Sequence, residues 1–444
     1  MTPDGPSRSR VGLALASALA AWLLWTQIWP QGAPRSGGVD FVQFWAVGQA
    51  ARVDGTADVY SPRGRERLAA WTGERAAESR SPRLRAAAAY RQRFETFSTP
   101  FLYQSLGWIA GGDYDRDLAV FQRVGIAAAA AAVLLLAHMM GYGWTGGLLA
   151  FLLLGLASEP MASDVRVANV NRLQLLAVAG WMWAQRSPSP ARQVSAGLLL
   201  GLLLAFKPTL GPALAVLALV GWATRQWRSM ALQAAGVALS GVAVVVVTSV
   251  AWGSARAWWD WAMALRSLER DANVTLASYN LAAAQVLSGR GVPAASAILA
   301  AVLLAVTAAV LWSARRGATG PADAGRLGMA AGSLAFAISL WPLQLVWLHY
   351  YLLFTPLALW LLRPAGPGEE CGGRSLAERL LAAVAALGAL GSPHLLPVLR
   401  DSFPLQASSY ILGALCLIGL GWVELFRAAR GAAAAPSPTV APGG

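Results

Sequence analysis

Three short segments, far apart along the chain, each place one polar side chain among aromatic or proline residues. Asp40 stands in GGVDFVQFWAVGQA, Lys207 in AFKPTLGP and His349 in WLHYYLLFTP. A carboxylate in an apolar, aromatic setting is suited to general-base catalysis. An ammonium group where prolines interrupt helices is suited to anion binding, and an imidazole can donate a proton to a leaving phosphate. These residue types predict transfer of a group from a phosphate.

Each of these side chains also has a structural interpretation that the sequence leaves open. Asp40 precedes a helical run and is a preferred N-cap residue. Lys207 suits a lysine that snorkels at the end of a span, and His349 suits a residue of the membrane interface. Arg166, in SDVRVANVNRLQ, adds a forked cation that suits a phosphate. The chemistry therefore depends on whether the fold brings these residues together.

The composition indicates the kind of fold that must position these residues. Hydrophobic residues make up 56% of the chain and charged residues only 13%, whereas soluble domains average about 45 to 50% apolar and about 25% charged residues. The apolar runs are mostly near the roughly 20 residues that a helix needs to cross a bilayer. They lack the alternation of a membrane β-barrel, so we expect an all-α membrane protein.

The apolar runs predict a polytopic bundle of about twelve transmembrane helices. The predicted spans are 11–29, 118–139, 144–157, 170–184, 194–206, 210–223, 231–252, 294–312, 327–345, 350–362, 376–391 and 410–426. With the N-terminus in the cytoplasm, most arginines of the short loops and of the C-terminal end fall on the cytoplasmic side, as the positive-inside rule requires. They are Arg186, Arg192, Arg225, Arg228, Arg315, Arg316, Arg326, Arg363, Arg374, Arg427 and Arg430. Residues 1–430 are expected to form one transmembrane domain, and the tail 431–444 is expected to be disordered.

This topology places two long loops outside the cytoplasm, at residues 30–117 and 253–293. The first loop mixes arginines and aromatic residues at helical intervals, which is typical either of amphipathic helices on a membrane surface or of solvated helices that hold the loop together. Polar residues at span ends gather on the same outer side and are expected to form one site there. They are Asp40, Glu159, Asp164, Arg166, Asn169, Asn171, Lys207, Asn280 and His349.

Several other classes of function find no support in the sequence. The net charge of +13 comes from basic residues scattered between apolar runs, so nucleic acid is not an expected partner. Cys371 and Cys416 are too few for a disulfide framework or a zinc cluster. The triplet Asp113-Tyr114-Asp115 spells the DxD of nucleotide-sugar enzymes, but we interpret it as a charged turn. No P-loop or dinucleotide fingerprint occurs, and neither a metal nor a cofactor is expected.

Five segments together resemble the GT-C class of integral-membrane glycosyltransferases that use polyprenyl-phosphate sugars, especially the bacterial alpha-1,2-mannosyltransferase-like branch. VDFVQFWAVGQAARVDGTADVY carries Asp40 in a similar Asp-Phe segment after the first span. ANVNRLQLL is similar at Asn171, although Ala and Asn replace the Gly and Gln of that family. TPFLY stands where the family tends to carry Tyr-Pro-Pro. GLLLGLLLAFKPTLGP matches at Lys207, and HYYLLFTPLALWL matches at His349.

The resemblance implies sugar transfer, with mannose as the expected sugar, on the outer face of a bacterial plasma membrane. The donor would be a polyprenyl-phosphate sugar and the acceptor a glycolipid or cell-envelope glycan. Asp40 would act as the base in one inverting, metal-independent displacement. Lys207, Arg166 and His349 would bind the donor phosphate, while Asn171, Tyr350 and Asn280 would contact substrate. The alternative from another class is a transporter or flippase of a lipid-linked or anionic substrate, because many spans and buried charges also suit alternating access.

Overall fold

The computed structural model describes residues 37–53, 58–266, 281–282, 293–316, 324–343, 345–364, 374–392 and 402–430, together with positions 12, 15, 17–19 and 22. Within these residues the chain is helical and contains no β strand, apart from an isolated bridge between Ser158 and Gly391. The predicted all-α class is therefore confirmed for the described part of the chain. Most of the predicted first span and the tail 431–444 lie outside it.

Most of the longer helices of the described residues coincide with predicted apolar runs, although the helix in the run 327–345 ends at Ile338. In chain order they are α1 (Phe41–Val53), α2 (Pro62–Glu78), α3 (Pro82–Tyr90), α4 (Pro100–Ile109), α5 (Tyr114–Met139), α6 (Trp144–Ala150), α7 (Glu159–Val167), α8 (Asn171–Gln185), α9 (Pro190–Phe206), α10 (Gly211–Ala223), α11 (Trp227–Ala251), α12 (Arg256–Arg266), α13 (Pro293–Arg316), α14 (Ala324–Ile338), α15 (Thr355–Leu362), α16 (Leu376–Leu390) and α17 (Phe403–Arg430). A π-helical turn (Phe151–Leu156) follows α6, and 3-10 turns precede α10 (Pro208–Leu210) and α15 (Leu348–Phe354).

Four of the described helices, namely α5, α11, α13 and α17, are long and apolar enough to cross a membrane. Shorter apolar helices accompany them, at Trp144–Leu156, Pro190–Phe206, Pro208–Ala223, Gly325–Ile338 and Leu348–Leu362. The chain is thus a helical membrane protein. The number of twelve spans stays a prediction, because helices of this shorter class fall below the length that crosses a bilayer without distortion.

The first loop is folded into helices that begin in the same way. Ser61, Ser81 and Thr99 each precede a proline, and each side-chain hydroxyl accepts a hydrogen bond from a backbone N–H of the following turn. A hydroxyl N-cap followed by proline is a strong helix start, since the proline lacks an N–H that would otherwise stay unpaired. The sequence of this loop therefore specifies where α2, α3 and α4 begin.

The loop helices bury their apolar faces on protein. Leu68 of α2 and Leu84 of α3 are 4% and 3% exposed, and both belong to a core that includes Phe41 and Trp45 of α1. The Trp45 indole donates a hydrogen bond of 3.0 Å to Asp117 at the start of α5. This packing favours the second interpretation, in which α2 and α3 hold the loop together. We call the described part of this loop, residues 37–53 and 58–117, the cap.

The bundle beneath the cap contains closely packed helices. At the crossing of α9 and α11, an added Cβ on Gly197 would lie 2.1 Å from the Gln233 carbonyl oxygen, and one on Gly236 would lie 2.3 Å from the Val194 carbonyl oxygen. Only glycine permits such an approach, as is common between membrane helices. The crossing fixes α9 and therefore the position of Lys207 at its end.

Candidate active site

Asp40 lies immediately before α1 and is held from several directions. Its backbone N–H donates to the Val167 carbonyl oxygen over 2.9 Å. One carboxylate oxygen, Oδ1, accepts from Arg91 Nη2 at 2.7 Å, and the other, Oδ2, accepts from Asn169 Nδ2 at 2.7 Å. The side chain is only 13% exposed. The carboxylate of Asp40, at the N-terminus of α1, therefore binds residues from two distant parts of the chain.

The chain that leads into Asp40 depends on a glycine. Gly38 has a φ of +65°, in the left-handed region, and an added Cβ there would lie 2.8 Å from the Leu118 side chain. A larger residue at this position would strain the backbone and displace the Leu118 side chain. The Tyr114 hydroxyl also donates to the Gly37 carbonyl oxygen. These contacts with α5 fix the direction from which Asp40 enters the site.

Arg91, at the C-terminal end of α3, is a partner of Asp40 that the sequence analysis did not identify as a site residue. Its Nε donates to the Val39 carbonyl oxygen at 3.2 Å, and its Nη1 lies 3.3 Å from Glu95 Oε2. Burial by itself lowers the pKa of Arg91, but the carboxylates of Asp40 and Glu95 outweigh it, so the pKa is raised. Arg91 is therefore a permanent cation beside Asp40, 51 positions away in sequence.

His349, in the C-terminal part of the chain, lies near the carboxylate of Asp40. It is 4% exposed and stands in the 3-10 turn Leu348–Phe354, which packs against α7 and α8. Its Nε2 lies 3.8 Å from Asp40 Oδ2, too far for a hydrogen bond, and has no hydrogen-bond partner among the described residues. A buried polar atom without a partner is costly and marks a place where a ligand can bind.

Lys207 stands in the break between α9 and the 3-10 turn that precedes α10. Its Nζ donates to Asn171 Oδ1 at 2.9 Å and lies 3.5 Å from the centre of the Tyr350 ring. Burial lowers the pKa of this partly buried ammonium group to about 7, against the raising effects of Asp164 and Asp40. The geometry fits a cation whose charge is stabilised further when an anion binds beside it.

Two asparagines connect the lysine to the carboxylate. Lys207 donates to Asn171, Asn171 Nδ2 lies 3.3 Å from Asn169 Oδ1, and Asn169 Nδ2 donates to Asp40. Between α7 and α8, Ala168 has a φ of +54°, a conformation that non-glycine residues rarely adopt. Such strain is often retained at functional sites. Here the tight turn brings both asparagine side chains to the same place.

A buried ion pair supports this chain of amides. Asp164 and Arg172 are both 0% exposed, and Arg172 Nε donates to Asp164 Oδ2. Asp164 Oδ1 accepts from Asn171 Nδ2 at 2.8 Å, which turns the carbonyl oxygen of that amide towards Lys207. Gly125 makes room for the pair, since a Cβ there would lie 2.7 Å from Arg172 Cζ. The pair thus fixes the orientation of Asn171.

Replacing Arg172 with Met is expected to destabilise the protein strongly, because Asp164 would remain buried without its cation. Breaking a buried pair in this way costs about 3 to 5 kcal/mol. The matched control is Arg67→Met, since Arg67 is 63% exposed beside Asp58 and an exposed pair contributes only about 0 to 1 kcal/mol. Thermal unfolding of the two purified variants measures the difference. Equal melting temperatures would show that the buried pair has no structural role.

Burial lowers the pKa of the His349 imidazole to about 3, against the raising effect of Asp40. The charges of Lys207, Arg91 and Arg166 also lower this pKa. A cleft of about 310 Å³ lies elsewhere and is lined by apolar residues of α10 and α13 together with Arg315. We place the candidate site at the polar cluster instead, because polar groups buried in a membrane protein are costly and are usually retained for function.

Comparison with known families identifies the class of protein. Residues 100–340, more than half of the chain, match Glycosyltransferase family 87. The chain belongs to this family. No curated protein and no solved structure matches the chain.

Membership of glycosyltransferase family 87 confirms the prediction that the protein is a glycosyltransferase and favours sugar transfer over transport. The matched segment contains Arg166, Asn171 and Lys207, begins after Asp40 and ends before His349. Asp40 reaches the matched residues through the hydrogen bond from its N–H to Val167 of α7. His349 reaches them because its 3-10 turn packs against α7 and α8. The candidate site thus combines residues from within and outside the matched segment.

Three further residues of the family 87 protein were predicted to bind substrate or the donor phosphate, namely Arg166, Tyr350 and Asn280. Arg166 is 37% exposed and pairs with Glu159, whose second oxygen accepts from Ser392 at 3.1 Å. Tyr350 packs on Lys207 and edge-on against His349, with ring centres 4.9 Å apart. Asn280 lies outside the described residues.

The Asp113-Tyr114-Asp115 triplet begins α5 in the family 87 protein. The Asp113 side chain caps this helix by accepting from the Arg116 N–H at 3.1 Å, and Asp115 lies 3.8 Å from Arg83. Within the described residues, no group of three or more His, Cys, Asp or Glu side chains is arranged to hold a metal ion.

Proposed function

We propose that this family 87 protein transfers a sugar, with mannose as the first candidate, from a polyprenyl-phosphate donor to a lipid-linked or cell-envelope glycan acceptor. The observation that carries the proposal is the meeting of Asp40, His349 and Lys207. Asp40 Oδ2 lies 3.8 Å from His349 Nε2, and two asparagines connect the carboxylate to Lys207. A carboxylate facing cationic and proton-donating groups suits a displacement in which a base and a leaving anion act on opposite sides of one carbon.

In this mechanism Asp40 accepts the proton of the acceptor hydroxyl as that oxygen attacks the anomeric carbon. The bond from this carbon to the phosphate oxygen breaks, its electron pair stays on the phosphate, and the configuration is inverted. Lys207 and His349 stabilise the departing phosphate, and a well-placed donor contributes about 3 to 4 kcal/mol in comparable sites. Arg166 pairs with Glu159, but its charge reaches His349 and adds to this stabilisation. Arg91 and Asn169 hold the carboxylate in position for the approach of the acceptor.

The positions of the arginines support a site on the outer face of a bacterial plasma membrane. Arg192 lies in the first turn of α9, whereas Lys207 follows its last residue. His349 precedes α15, whereas Arg363 follows it. The candidate site and these arginines thus occupy opposite ends of the same helices, and arginine-rich ends tend to lie in the cytoplasm.

Purified protein incubated with a panel of polyprenyl-phosphate sugars and glycolipid acceptors tests the proposal. Mass spectrometry should show an acceptor heavier by one hexose, with release of an equal amount of polyprenyl phosphate. The same reaction with nucleotide sugars serves as the comparison. Turnover of nucleotide sugars without turnover of any polyprenyl-phosphate sugar would contradict the proposed donor.

A further inference from the structure

The helix α12 begins where a membrane-spanning helix ends. The spanning helix α11 finishes at Ala251, and Gly253, with a φ of +65°, turns the chain before α12 starts at Arg256. The last turn of α11 exposes Val250, which is 77% exposed and thus available to lipid. A helix that starts only a few residues beyond such a turn must lie close to the surface of the bilayer.

One face of α12 is attached to the protein. Ala257 and Ala264 are 1% and 7% exposed. The indole of Trp261 donates a hydrogen bond of 3.0 Å to the carbonyl oxygen of Phe97 in the cap. These contacts fix the rotation of the helix about its own axis.

The other face of α12 combines apolar and basic residues. Trp259 and Met263 are 64% and 41% exposed and lie four residues apart, so they share one face. Arg256 and Arg266 stand three residues before and after this pair and extend the same stripe at both ends. Arg256 contacts Asp260 at 3.5 Å, yet its side chain remains 81% exposed. A tryptophan between arginines is typical of a helix that lies in a membrane interface.

A second exposed tryptophan lies beside the end of the spanning helix. Trp108 of α4 is 54% exposed and stands one turn after Gln104, whose side chain accepts a hydrogen bond of 2.7 Å from Trp252. Trp252 directly follows α11. An aromatic residue at this level matches the belt that membrane proteins carry at the lipid headgroups.

We propose that α12 is an interfacial helix, with Trp259 and Met263 inserted into the leaflet next to the candidate site and Arg256 and Arg266 on the phosphates of anionic lipids. The continuity with α11 identifies the occupant of this face as lipid, and the two arginines select lipids of negative charge. This contact does not depend on the proposed sugar transfer.

The interfacial helix α12 is connected to the candidate site. Trp261 binds Phe97, which belongs to the segment that follows α3 and includes Arg91 and Glu95. Arg91 in turn binds Asp40. A few hydrogen bonds thus connect the interfacial helix to the carboxylate, so that α12 sets the height of Asp40 relative to the lipid headgroups.

Spin labels on α12 test the proposal in the full-length protein. Cys371 and Cys416 are replaced by Ser, and a single label is attached at Trp259→Cys or, as a second variant, at Met263→Cys. The proteins are reconstituted into vesicles of phosphatidylcholine and phosphatidylglycerol. Power saturation with oxygen and a water-soluble nickel chelate then gives the depth of each label. Val246→Cys on α11 is the lipid-exposed reference, and Arg67→Cys on α2 is the water-exposed control.

The labels on α12 are expected about 5 to 10 Å within the boundary between headgroups and acyl chains. They should become shallower in vesicles of phosphatidylcholine alone. Nickel accessibility equal to that of the control would overturn the proposal, and so would a label shielded from both reagents, which would indicate cover by protein. An unchanged depth without phosphatidylglycerol would overturn the assignment of the arginines to anionic lipids.

Discussion

Replacing Asp40 with Asn is expected to lower the rate of sugar transfer by about 100- to 10,000-fold, the range that a general base contributes. Asparagine keeps the size of the side chain, and its carbonyl oxygen can still accept a hydrogen bond from Arg91 or Asn169. It cannot take the proton of the acceptor hydroxyl. Initial rates with a polyprenyl-phosphate sugar measure the effect, and unchanged donor binding would separate it from a loss of affinity.

The control for this variant is Asp58→Asn. Asp58 also pairs with an arginine of the cap, Arg67, at 3.1 Å, but both side chains of this pair are exposed. Both variants lose one carboxylate from the same loop, so a general effect on the cap would appear in both. Full transfer activity in the Asp40 variant would refute the assignment of Asp40 as the base.

Replacing Lys207 with Gln is expected to slow transfer by about 100- to 1,000-fold, the effect of removing one preorganised donor to a developing negative charge. Glutamine can still donate a hydrogen bond to Asn171, so the local structure is retained. Lys207→Arg keeps the positive charge and should recover part of the rate. If the glutamine and arginine variants had equal rates, the charge at this position would have no role.

The pH dependence of sugar transfer tests the role of the Lys207 charge independently. Because burial lowers the pKa of this lysine to about 7, the ammonium form dominates below that pH and is lost above it. We expect kcat/KM for the anionic donor to fall as the pH rises through neutrality, since this ratio reports on the free enzyme. In Lys207→Arg the guanidinium stays charged throughout. The variant should therefore lose this part of the pH profile.

Local signals account for the part of the structure that the sequence predicted. Apolar run length predicted a helix at each proposed span within the described residues, although the helix in span 327–345 ends at Ile338 and span 350–362 begins as a 3-10 turn. The serine–proline starts of α2 and α3 are also visible in the sequence. The polar residues at span ends were expected to gather, and the structure brings Asp40, Lys207 and His349 together. Their catalytic roles remain proposals.

Contacts that depend on tertiary packing could not be predicted. Arg91 was one of many arginines in the first loop, and nothing local distinguishes it as the partner of Asp40. The Asp164–Arg172 pair depends on the space left by Gly125, which the sequence shows only as one glycine in an apolar run. Run length alone does not fix the number of spans either, because several apolar helices are shorter than a bilayer is thick.

The central claim is that the groups around Asp40 receive the phosphate of a lipid-linked donor. An experimental structure of the protein with polyprenyl phosphate bound tests it most directly. We expect the phosphate beside Lys207 Nζ and His349 Nε2, with Asp40 facing the space that the transferred sugar would fill. A phosphate held elsewhere, such as at Arg315 in the apolar cleft between α10 and α13, would contradict it.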